Sequence, residues 1–98
     1  MIEKDIEYIS KNLSKEAIYD QLTEECCELG HASAKMARIR RCENPTPIQG
    51  GEALKNLEEE FTDIIVCALV LGLAPNETLM ERKLVRWKNR IKDNKKEW

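Results

Sequence analysis

Two acidic pairs carry the chemistry this sequence can offer: Glu25 and Glu28, separated by two cysteines, and Glu60 and Asp63, separated by Phe61 and Thr62. At about 100° per residue, carboxylates three positions apart share one side of a helix. Ile18, Leu22, Leu29, Ala32 and Met36 fall within a stripe roughly 80° wide, with Glu25 in its middle and Glu28 about 60° to one side. The second pair repeats this arrangement. Glu60 precedes Ile64 by four residues, and Asp63 precedes Cys67 by four and Val70 by seven. A lone carboxylate placed in an apolar row costs several kcal/mol, and neighbouring carboxylates repel one another, so a cation is expected among them. Ligands that are all oxygen select a hard ion, magnesium or else manganese. Pairing with lysine and arginine on a solvated face accounts for Glu52, Glu58 and Glu59, but not for Glu25 or for the repetition on two core helices.

The elements that must position these groups are helices. Ile2, Ile6, Ile9 and Leu13 give weak helical spacing, and Ser14 is a suitable N-cap for a long helix running to about residue 41. Residues 42–51 contain Pro45, Pro47 and the Gly50-Gly51 pair, and are expected to form the main loop. A second long helix is expected over 52–71, stopped by Gly72, and a third over 77–95, capped by Asn76 and basic toward its end. The whole chain, 1–98, reads as a single all-α domain. A helix of about 28 residues spans roughly 40 Å, against a radius of gyration near 13 Å for a compact domain of this size. Residues 64–71 are apolar on every side, so this helix is expected to pack within its own subunit and against a partner, in a four-helix-bundle-like homodimer or homotetramer.

Composition narrows the function classes. The net charge is −2 at pH 7, which provides no overall basic surface for duplex nucleic acid. The longest apolar run, residues 64–71, is eight residues, far short of a membrane span, and the start of the chain lacks the apolar core of a signal peptide. A cytoplasmic location and no membrane partner are expected. Cys26, Cys27, Cys42 and Cys67 lack zinc-type spacing and are expected to be reduced, small buried hydrophobes.

Taken together, Glu24-Glu25-Cys26-Cys27-Glu28 and Glu60-Phe61-Thr62-Asp63 resemble the EExxE…ExxD signature of the MazG-like nucleoside triphosphate pyrophosphohydrolases. The resemblance covers helix order, the intervening loop and the basic last helix. It implies an oligomeric helical bundle that cleaves a (d)NTP to the monophosphate and pyrophosphate, with Glu25, Glu28, Glu60 and Asp63 as ligands of Mg2+ and Glu24 as the extra glutamate before them. Metal ions bridge phosphate oxygens and lower the pKa of a bound water. Glu24 and Glu28 are both candidates to orient or deprotonate that water.

A triphosphate also needs cations from the protein. Lys83, Arg86 and Arg90 lie close to one face of the last helix and are the first candidates. Lys35 and Arg38, near the end of the long helix, are the alternative. Members of the family often carry an asparagine followed by a lysine in the last helix, a pattern that residues 82–87 do not reproduce. By the same resemblance, the loop around 44–47 borders the nucleotide. Phe61 and Trp87 read as core residues rather than base platforms. Two rival readings come from other classes. Glu28 and His31 form a Glu-x-x-His, the ligand pair of di-iron carboxylate bundles, but His31 is the sole histidine. The chain also suits a non-catalytic nucleotide-binding or helical interaction module.

Overall fold

The computed structural model describes residues 2–42 and 50–96. Those residues form four helices and no strand: α1 (Ile2–Asn12), α2 (Lys15–Arg40), α3 (Gly50–Leu71) and α4 (Glu77–Lys96). The stops and starts have local causes. Ser14 is extended and its Oγ accepts from the Ala17 amide at 3.1 Å, capping α2. Asn76 does the same for α4, its Oδ1 accepting from the Leu79 amide at 2.9 Å. At the end of α3, the Leu73 amide donates to the Ala68 carbonyl at 2.8 Å and the Gly72 amide to Leu69 at 3.1 Å. This double bond is a Schellman cap, and it places Gly72 at φ 76°.

Gly50 and Gly51, expected in the loop, instead form the first turn of α3. The leading amides of a helix have no intrahelical partner anyway, so glycine costs less there than in mid-helix. The expected loop segment 43–49 lies outside the described residues.

Gly72 gives a clean stability test. A Cβ added there meets nothing within 4 Å, so Gly72→Ala costs only the left-handed backbone, about 1 kcal/mol. Gly30, in the interior of α2, is equally open but helical, so Gly30→Ala is expected to stabilise by ~0.5–1 kcal/mol. Opposite shifts of the unfolding midpoint check both.

α2 and α3 pack against one another as an antiparallel hairpin, and α1 rests on α3. The stripe read from the sequence is the face that α2 turns to α3: Ile18 is buried, and Leu22, Glu25, Leu29, Ala32 and Met36 are half-buried. The core is thin. Among the described residues only Ile18, Ala53 and Cys67 are buried. The expectation of buried cysteines holds for Cys67 alone, since Cys26, Cys27 and Cys42 are exposed. Phe61 and Trp87 are not core residues of the single chain either, being 47% and 60% exposed.

The reason lies in the shape. The radius of gyration is 17.7 Å, well above the ~13 Å of a compact domain of this length. Every described side chain of α4 is exposed. Two apolar stripes are therefore left uncovered: Leu54, Phe61, Ile65 and Leu69 along α3, and Met80, Leu84, Trp87 and Ile91 along α4. Each stripe keeps to one face of its helix, at three-, four- or seven-residue steps, as in a helix that expects a neighbour. No helix among the described residues is long and apolar enough to cross a membrane.

Candidate metal centre

Antiparallel packing brings the middle of α2 opposite the middle of α3, and the acidic pairs sit at that level. Glu25, Glu60 and Asp63 each offer a carboxylate oxygen, and these three atoms lie within 4.8 Å of one another. All three residues are half-buried. Glu25 is steadied by Gln21, whose Nε2 donates to its Oε1 at 2.7 Å. Thr62, between the two acidic residues of α3, turns its hydroxyl to the Glu58 carbonyl at 2.7 Å and stays outside the cluster.

The Glu60 carboxyl is held above its ordinary pKa, first by desolvation and then by the charges of Asp63, Glu28, Glu25 and Glu59. Beneath it, burial raises the Cys67 thiol, with Glu25, Asp63 and Cys26 adding to the effect, so Cys67 is a packing residue and not a thiolate nucleophile. A field of this sign favours a cation. Three mutually cis oxygens on one magnesium lie about 3 Å apart, so carboxylate oxygens within 4.8 Å of one another would have to draw closer by side-chain rotation to share a hard divalent ion.

The sequence expected four ligands, and three of them meet. Glu28 is exposed and stands beside the cluster, where it lines a cleft of about 250 Å³ between α2 and α3 with Glu60, His31, Lys35 and Asn56. Glu24 is exposed and is not among the residues lining that cleft. Of the candidate phosphate contacts, Lys35 lines that cleft, whereas the half-buried Arg38 does not. Lys83, Arg86 and Arg90 line a depression made by α4 residues alone, with no acidic-cluster residue in its wall. Within one chain they therefore do not face the carboxylates. Asn56 was not singled out from sequence; its place seven residues before Asp63 and four before Glu60 puts it one turn along the same side of α3, and that spacing was the available signal.

His31 lines the cleft beside Glu28 but is absent from the cluster of converging ligand atoms. A di-iron site built on Glu28 and His31 finds no second histidine in the sequence. The chain matches no known family profile, and no curated protein or solved structure matches it.

Proposed function

We propose that this chain is a MazG-like nucleoside triphosphate pyrophosphohydrolase. The observation that carries the reading is the convergence of Glu25, Glu60 and Asp63 from two facing helices, at the end of a cleft that also contains a lysine. Acidic clusters are common on protein surfaces. One assembled from half-buried residues at the join of two helices, beside a mixed-charge cleft, is better suited to a metal-bound polyanion than to solvent.

In this reading Glu25, Glu60 and Asp63 hold Mg2+, with Mn2+ as a substitute, and Glu28 completes the set or orients the attacking water. When bound, the ion would neutralise charge on the phosphates and acidify the attacking water. The protein's own part is to hold the α-phosphate beside the carboxylates and to accept a proton from that water. Glu28 is better placed for this than Glu24 because it lines the cleft next to Glu60. Attack at the α-phosphorus breaks its bond to the α–β bridging oxygen, releasing the monophosphate and pyrophosphate.

The reading includes a second copy of the chain. The uncovered stripes on α3 and α4 are each about four large apolar side chains long, and pairing them across a two-fold axis satisfies both at once. The test of function is a magnesium-dependent screen of the eight common NTPs and dNTPs with products separated. Monophosphate plus pyrophosphate from any of them supports the reading. Triphosphate binding without turnover would make the chain a binding module, and neither binding nor turnover under magnesium or manganese would sink the proposal.

A further inference from the structure

Along the α2–α3 groove the lining residues fall in a definite order. Glu28 and Glu60 stand at one end, next to the carboxylate cluster, and Lys35 at the other, with His31 on α2 and Asn56 on α3 between them. Seven residues separate Glu28 from Lys35, which is about 10 Å of helix. The floor between them is made by Ala32 and Ala53, the latter 1% exposed. Small floor residues leave the groove open, so the polar side chains on its two walls can reach the same guest.

We infer that this groove is the seat of the polyphosphate tail, with Lys35 neutralising the phosphate farthest from the carboxylates and Asn56 and His31 donating hydrogen bonds to the bridging stretch between. The inference rests on the pyrophosphohydrolase reading and deepens it. Three features favour phosphate over the nucleoside. The groove has an anion-attracting end at Lys35 and a cation-attracting end at the cluster, which matches a chain of phosphates held by metal at one end and ammonium at the other. The lining contains no phenylalanine, tyrosine or tryptophan, the large rings that commonly serve as base platforms. Amide and imidazole N–H groups in the middle suit oxygens that carry charge and lack donors of their own. On this view the cations of α4 are not needed to bind the tail within one chain.

The experiment is calorimetric binding, in the presence of magnesium, of two separate probes: inorganic tripolyphosphate and a nucleoside monophosphate. The proteins are the full-length chain and its Asn56→Ala, His31→Ala and Lys35→Ala variants. Asn56 and His31 are exposed, so these changes leave the hairpin core alone; helical circular dichroism and Mn2+ binding confirm an intact fold and metal site. A hydrogen bond to a charged partner contributes enough that each variant is expected to bind tripolyphosphate about tenfold more weakly, with monophosphate binding little changed. Unaltered tripolyphosphate affinity in all three variants of a chain that turns over triphosphates would overturn the groove assignment and leave the pyrophosphohydrolase standing. Weakened monophosphate binding with unaltered tripolyphosphate binding would hand the groove to the nucleoside and also overturn it. A full-length chain that neither binds tripolyphosphate with magnesium nor turns over a triphosphate would remove both readings together.

Discussion

Glu60→Gln is expected to lower magnesium-dependent pyrophosphate release by more than ~100-fold, since losing even an outer-shell partner of a metal site costs 10–100-fold and Glu60 is a direct ligand candidate. The same substitution should make the metal-free protein more stable at neutral pH, an outcome unlike that of most changes at a half-buried position. The sign follows from the raised Glu60 carboxyl. Its folded pKa exceeds its unfolded one, so between the two values the folded state holds more protons and stability falls as pH rises through that window. Above that window the folded wild type holds an ionised Glu60 that is partly desolvated and crowded by Asp63, Glu28, Glu25 and Glu59, and glutamine removes that penalty. Below the ordinary glutamate value near 4.5 the residue is protonated in both states, and the advantage disappears. Thermal melts of both proteins in a chelator at pH 4 and pH 7, then with magnesium added, read this directly. Undiminished turnover, or a variant less stable than wild type at pH 7 without metal, would break the assignment of Glu60 to the cluster.

Placing charges on the apolar stripe of α4 is expected to have the largest effect on stability. Leu84 and Ile91 are 61% and 48% exposed in the single chain and lie two turns apart on one face. Were the chain a functioning monomer, Leu84→Glu with Ile91→Glu would be nearly neutral, as surface changes usually are. In the paired assembly proposed above, each position is desolvated and worth about 1.5–3 kcal/mol. Together that lowers the melting temperature by more than ~10 °C and abolishes assembly. Sedimentation of wild type should give at least twice the 11.4 kDa of the chain, and of the variant a single chain or an unfolded one. A wild type that sediments at one chain mass and an undisturbed double variant would show that α4 projects freely into water.

Much of this molecule can be read from residues whose effect is local. Ser14, Gly72 and Asn76 each satisfy or terminate a helix end with their own atoms, and they do so as expected. The carboxylates were legible because helical periodicity alone places Glu25 among Leu22, Leu29 and Ala32, and Glu60 and Asp63 on the matching side of α3. Periodicity gives the face of a residue within its helix; it does not give the rotation of one helix about the next. For that reason the sequence ranks the α4 cations ahead of Lys35, although of these candidates only Lys35 shares a cleft with Glu60. Phe61 and Trp87 misled for a related cause. Their spacing announces an apolar face correctly, but not whether the face is covered by the same chain or by another. Gly50 and Gly51 read as helix breakers because their propensity is poor in mid-helix, whereas a first turn has little to lose.

The carboxylates of the cluster are drawn from both arms of a chain reversal, Glu60 following Glu25 by 35 positions. On the reading proposed above, a cation seated among them would be a removable cross-link that closes the hairpin, comparable in topology to a disulfide but set by ion concentration instead of redox state. Slipping α2 past α3 by a single turn would part the ligands by about 5.4 Å, so a bound ion would favour the aligned register. Binding the correctly aligned chain alone, it adds ~2.7 kcal/mol of stability at a hundredfold excess over its dissociation constant. With so few buried side chains among the described residues, an ion bound in this way would tie the stability of the folded chain to the supply of divalent cation.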